Sequence, residues 1–249
     1  NPSRLALLVH GVLFFQQANQ RMHNKLMVID GALALTGGRN IDNHYYNNSL
    51  TYNFIDLDAL VAGPILPRMN HSFEEFWEDH RSVPAELLGD VAFAISEGVN
   101  LAEESTVPKT PYFDRVHVDA ENDDKIQALF VDALKPVERL RFLADKPGKN
   151  KLIGFWGGGK ATRQIRKTIH TADEEIVLQS PYLILNTISR LQFRLLRYQH
   201  PDLDIIVSTN SFAATDNILA YSANYKLRTA YIKTIGMDIF EYMPYPEEL

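Results

Sequence analysis

The chain has no cysteine, which excludes disulfides, thiolate nucleophiles and cysteine-based metal sites and leaves the redox compartment open. It also lacks a long apolar run: nothing approaches the roughly 20 apolar residues of a membrane-spanning helix. The nearest stretch, Leu5 to Phe15 behind Arg4, is broken by His10 and Gly11 and has no small-x-small cleavage site. That sets aside a signal peptide, and a buried helix feeding the next segment is expected there. Basic residues are the minority, 25 Lys and Arg against 31 Asp and Glu, for a formal net charge of −6. Gripping nucleic acid by bulk electrostatics is therefore disfavoured, while a local basic groove stays open. What is present is ordinary globular composition, 45% hydrophobic and 22% charged. A length of 249 residues suits two modest domains or one large one. The chain starts at Asn1 rather than Met, as an excerpt or a processed product would.

The most informative stretch runs from Arg21 to Asn40. Residues 25–29 and 32–36 are apolar-rich and are separated by Asp30-Gly31, a strong signal for a two-residue hairpin. Counting outward from that turn pairs Ile29 with Ala32, Met27 with Ala34, Lys25 with Thr36 and His23 with Gly38. The two-residue period of a strand puts His23 and Lys25 on one face. Gly37 and Gly38 arrive opposite them without side chains, so a ligand can approach the backbone, and Asn40 follows. A nucleophile or base, a fixed cation and an amide donor beside an open backbone make a site for an oxyanion such as phosphate.

Beyond it, Asn43 to Asn53 reads as a loop near the site, Phe54 to Ala62 as a strand ended by Gly63-Pro64, and Pro67 to His80 as a helix. That helix would carry Met69, Phe73, Phe76 and Trp77 on one face, with His71 and His80 on its surface. Val83 to Val116 predicts a short helix and irregular connections, with a turn or linker at Pro108 to Pro111. Asp123 to Leu134 reads as an amphipathic helix, and Lys146 to Lys151 as a basic loop. An α/β rhythm follows: helices over 160–171, 187–199 and 216–235, and strands over 175–182, 203–209 and 237–242. Strands separated by such helices pair in parallel, and ligands bind at their carboxyl ends, here Ser180-Pro181-Tyr182 and Thr209-Asn210-Ser211. Gly157-Gly158-Gly159-Lys160 lacks the spacing and the following Ser or Thr of a phosphate-binding loop and reads as a turn before a helix.

The spacing His23-x-Lys25-x4-Asp30-x6-Gly37-Gly38-x-Asn40 matches the HKD motif of the phospholipase D superfamily at every specified position. Arg21 to Lys25, Gly37 to Ile41, Asp56-Leu57-Asp58 with Gly63-Pro64, Ser180-Pro181-Tyr182 and the run Thr209 to Asp216 resemble bacterial cardiolipin synthases, those of the C type most of all. The resemblance implies a phospholipase D-like α/β fold, mixed sheets flanked by helices in two related halves. Residues 1–115 would be the end of the first half, and 116–249 the start of a second, incomplete half. It implies phosphatidyl transfer through a phosphohistidine on phospholipid at a membrane surface, as a peripheral protein of a bacterial inner membrane. In it His23 is the nucleophile, with Lys25 and Asn40 stabilising charge on the phosphoryl oxygens. Asp30 is the motif carboxylate, and its place at the turn gives it a structural role. Asp58, and Asp56 second, are candidates to orient the histidine. Gly37, Gly38, Tyr182 and Asn210 would contact substrate. Neither a metal nor a cofactor is required, since the protein's own cations serve.

One departure matters. The family site uses two such motifs, and this chain has a single His-x-Lys. His117, His170 and His200 lack a lysine two residues on. The second motif is expected from the same longer chain or from a dimer partner, so the segment alone should turn over poorly. The alternatives are a nuclease or phosphodiesterase of the same superfamily, with nucleic acid disfavoured by net charge, and a non-catalytic half-site interaction module.

Overall fold

In the computed structural model residues 21–98, 111–148 and 159–244 are described; the expectations at Leu5–Phe15, Pro108–Thr110, 149–151 and Gly157-Gly158 lie outside them. Asp30 and Gly31 both take positive φ, 50° and 64°, the left-handed geometry that Asp and Gly tolerate best. The reversal they make includes Ala32, whose N–H donates to the Ile29 carbonyl at 2.9 Å. Strands β1 (Leu26–Ile29) and β2 (Leu33–Gly37) therefore pair as Ile29 with Leu33, Val28 with Ala34 and Leu26 with Thr36. This is one residue away from the two-residue-loop register, and the reason is packing. The shift places Leu26, Val28 and Ala34 on one face, where they meet Val61 of β3 (Asp58–Ala62) and Leu66 and Met69 of helix α1 (Leu66–Trp77). A one-residue slip would turn Ala34, which is fully buried, away from that helix.

The sheet order is β1-β2-β3, antiparallel throughout. β3 starts four residues later than the apolar run suggests, because Phe54 donates its N–H to the His44 carbonyl (2.8 Å), holding it to the preceding loop rather than to β2. Helix α1 has proline in its first turn and buries Leu66, Met69 and Ser72. Phe73 and Trp77, expected on one face with Met69, are exposed while Met69 is buried, and they stack on each other at 6.1 Å. Helices α2 (Gly89–Ser96) and α3 (Pro111–Ala120) follow. The helix expected over 123–134 is a single turn, α4 (Asp123–Ile126), continued by wide turns over Gln127–Asp132 that bury none of their residues.

The chain divides into two compact units, Asn1–Ala161 and Thr162–Leu249. The division falls later than residue 115 because Phe142 packs on the first core and Lys146 pairs with Glu75 of α1. In the second unit, helix α5 (Lys160–Ile169), which begins at the division, leads into strand β4 (Glu175–Gln179). Helix α6 (Thr187–Gln199), strand β5 (Asp204–Asn210), helix α7 (Ile218–Ala230) and strand β6 (Asp238–Tyr242) complete it. β4-β5-β6 is a parallel sheet, as 13-residue helices between strands require. Asn186 and Asn217 start α6 and α7 by accepting the N–H of Ser189 (2.8 Å) and Ala220 (3.0 Å). Leu203, Ile205 and Val207 alternate inward from the central strand against Phe193, Leu196, Tyr231 and Ile235. Each such side chain contributes about 1.5–3 kcal/mol by leaving water. Arg197 of α6 donates to the carbonyls of Ile235 (3.0 Å) and Gly236 (2.7 Å), where the chain enters β6, and to that of Pro201 (2.9 Å) ahead of β5.

Candidate functional site

His23 and Lys25 precede β1 on the segment that leads into the hairpin, and His23 is exposed. The Lys25 ammonium lies 3.3 Å from Nδ1 and 3.4 Å from Nε2 of His23 and donates to its carbonyl at 3.1 Å. Thr36 of β2 donates its hydroxyl to the Lys25 carbonyl at 2.8 Å, fastening this lead-in to the neighbouring strand. Imidazole and ammonium thus share the space of one phosphoryl group. Asp30 stands at the turn, with its positive φ of 50°.

The two glycines have a different use from the one the sequence suggests. A methyl group on Gly37 would sit 1.8 Å from Oδ1 of Asp58, and one on Gly38 would sit 2.2 Å from Oδ1 of Asp56. The close approach they permit is taken by the chain's own carboxylates rather than left open, because Gly37 pairs directly with Asp58 across β2 and β3. Asp58 accepts from Nη1 of Arg39 at 3.0 Å, so the carboxylate first in line to orient His23 is engaged by arginine instead. Asp56 makes no side-chain hydrogen bond or ion pair among the described residues.

Arg39 is the residue that sequence reading passed over. Besides Asp58 it donates to the carbonyls of Asp56 (3.2 Å) and Tyr45 (3.3 Å), tying the end of β2, the start of β3 and the intervening loop into one frame. A planar guanidinium suits three acceptors in one plane. Asn40 donates from Nδ2 to the Tyr45 hydroxyl at 2.9 Å, which orients its amide and leaves its other N–H and its oxygen available. In the same loop Oδ1 of Asp42 lies 2.7 Å from Nδ1 of His44 and accepts its backbone N–H at 3.0 Å. That backbone bond, then the imidazole, holds the Asp42 carboxyl below the usual carboxylate range. His44 packs on Tyr52 at 4.4 Å, and Tyr45 on Phe54 at 4.6 Å. The signal for this frame was present as the Asp42-x-His44 spacing and the density of aromatic residues.

Tyr182 and Asn210 belong to the other unit, at the carboxyl ends of β4 and β5. Tyr182 donates its hydroxyl to Asp216, and Thr209 donates to the Pro181 carbonyl at 3.3 Å. Beside Asn210, the hydroxyl of Ser211 is buried without a partner among the described residues. His71 and His117 are surface residues, the first within reach of Glu75 on its own helix and the second of Glu121 just past the end of α3. Among the described residues no helix is long and apolar enough to cross a membrane.

Comparison with known proteins finds no matching family model and no matching solved structure. Cardiolipin synthase C of Escherichia coli is 28% identical over 246 residues, 94% of this chain and 49% of its own length. An uncharacterized protein of Helicobacter pylori is 25% identical over 237 residues, 91% of this chain and 44% of its own. Cardiolipin synthase A of Pseudomonas putida is 34% identical over 62 residues, 24% of this chain. The chain spans about half the length of the first two of these relatives. The likeness to cardiolipin synthase C over nearly the whole chain supports a phospholipase D-like relationship, and the mixed α/β architecture is compatible with it.

Proposed function

We propose that the chain carries one half of a phosphodiester-processing site that acts on phospholipid by phosphatidyl transfer, of the kind that makes cardiolipin. The observation that carries the reading is the Lys25 ammonium lying 3.3 Å from the His23 imidazole, in a chain related to cardiolipin synthase C over 94% of its length. Imidazole is a competent nucleophile near neutral pH. Attack of a His23 nitrogen on phosphorus forms the N–P bond as the bond to the departing alcohol oxygen breaks, giving a phosphatidyl-histidine. The acceptor alcohol then takes the phosphatidyl group and His23 is regenerated. Lys25 and the free N–H of Asn40 stabilise charge on the non-bridging oxygens as the five-coordinate centre develops. Asp56 is the carboxylate left to orient His23, since Asp58 is bound to Arg39. In-line displacement needs an acid on the far side to protonate the leaving oxygen. In this reading a second His-x-Lys supplies it, from a longer chain or a second copy.

The experiment is product analysis with a phospholipid and a DNA substrate side by side, using a longer chain that carries a second His-x-Lys. Cardiolipin or phosphatidic acid as product, abolished by His23→Ala and lowered on the order of a hundredfold by Lys25→Ala or Asn40→Ala, supports the reading. DNA cleavage without lipid turnover transfers the site to a nuclease, and full lipid activity in His23→Ala removes the proposal.

A further inference from the structure

A concavity lies on the first unit, on residues that take no part in the His23 site. It is a cavity of about 210 Å³ between α1 and the segments around 142–146 and 160–161. That is far more than the roughly 10–15 Å³ that one water requires. Arg68, His71, Ser72 and Glu75 of α1 line one side, and Lys146 and Lys160 the other. Three fixed cations surround it with one carboxylate, in a chain whose net charge is −6.

The pairing inside the cavity is uneven. Glu75 is already bound by the Lys146 ammonium, and Nε2 of His71 lies 3.7 Å from the same carboxylate. Arg68 and Lys160 have no hydrogen-bond or ionic partner among the described residues. Ser72 is 8% exposed, and its hydroxyl also has no hydrogen-bond partner among the described residues, although a serine within a helix ordinarily finds one. A hydroxyl free to donate and two cations without an ion pair are complementary to one group, an oxyanion with several acceptor oxygens. Lys160 is held in place by the chain itself. Asp145 accepts the N–H of Ala161 at 3.1 Å, and Gly159 is where the chain passes that carboxylate too closely for a side chain. The last glycine and the lysine of the Gly157-Gly158-Gly159-Lys160 run thus have a defined use, outside any nucleotide-binding loop.

We infer that this cavity is a second anion site that takes a phosphate ester, with Arg68 and Lys160 on its oxygens and Ser72 as the neutral donor. The volume admits a phosphoryl group with a small alcohol attached. The ester is either a soluble phosphate or the headgroup of an anionic phospholipid, and binding probes separate the two. The site is independent of the chemistry assigned to His23, so either can fail alone.

The test uses the 249-residue chain with His23→Ala and Lys25→Ala in place, which removes the first anion site. Calorimetry measures inorganic phosphate and glycerol 3-phosphate, and co-sedimentation measures phosphatidylglycerol vesicles against phosphatidylcholine vesicles. Binding of the soluble phosphates, or of phosphatidylglycerol vesicles in preference to neutral ones, should weaken about tenfold or more in Arg68→Ala/Lys160→Ala. It should weaken less in Ser72→Ala. Both altered charges are exposed, so circular dichroism should show an unchanged fold. Binding of soluble phosphates alone identifies a free ester, and of vesicles alone a headgroup. No binding by any probe, or binding indifferent to Arg68→Ala/Lys160→Ala, overturns the inference.

Discussion

Gly37→Ala is the substitution whose outcome the geometry determines most sharply. The new methyl would lie 1.8 Å from Oδ1 of Asp58 and 2.7 Å from the Leu57 carbonyl oxygen. The carboxylate can swing away, but only by leaving Arg39, and that part-exposed ion pair is worth about 0.5–1 kcal/mol. The Leu57 oxygen is backbone and cannot rotate aside, so the start of β3 must move, and overpacking of this kind costs about 1–3 kcal/mol. Together these predict a loss of roughly 1.5–4 kcal/mol, read as a lower urea midpoint at unchanged slope. Gly89→Ala is the control: a methyl there meets nothing within 4 Å, and stability should hold or rise by up to about 1 kcal/mol. In an Asp58→Ala background Gly37→Ala should cost less, yet not become neutral, because the carbonyl contact remains. Equal midpoints for Gly37→Ala and Gly89→Ala would refute the close packing of β2 on β3 at this point.

Other outcomes follow from the same contacts. Asp42 has its folded-state pKa depressed, so its contribution to stability is present above its ordinary value near 3.8 and is lost as pH falls through the lower folded value. In His44→Ala the carboxyl should recover only part of its shift by NMR titration, because the backbone N–H, the larger cause, survives the substitution. The hydroxyl of fully buried Tyr231 accepts the N–H of Leu185 at 3.1 Å, so Tyr231→Phe should cost about 1–3 kcal/mol in chemical denaturation by orphaning that donor. Tyr45→Phe removes the partner of Asn40 and should lower turnover by a factor of about ten with little change in melting temperature; an unchanged rate would show that Asn40 needs no such support.

Much of the second unit was legible in the sequence, because 13-residue helices between apolar runs leave few options besides parallel pairing. The hairpin was legible in kind but not in register. Leu26-Met27-Val28-Ile29 and Leu33-Ala34-Leu35 are apolar on both faces, so alternation carries no information about which face goes inward. Only the helix packed on Ala34 decides it, and that contact comes from residues more than thirty positions away. The motif residues His23, Lys25 and Asn40 stood out by spacing. Arg39 did not, although it sits between Gly38 and Asn40, because its three acceptors come together only once β3 is paired to β2. The ion pair of Asp58 was hidden for the same reason: the residue lies across from Gly37 and within reach of Arg39.

The most direct measurement of the central claim is rapid acid-free quenching of a longer chain carrying a second His-x-Lys, mixed with phosphatidylglycerol labelled in its phosphate, followed by peptide mass mapping. An acid-labile phosphoryl adduct on His23 is expected, formed faster than steady-state turnover and absent in His23→Ala. Product formation at full rate with no adduct on His23, or with the adduct unchanged in His23→Ala, would contradict that claim.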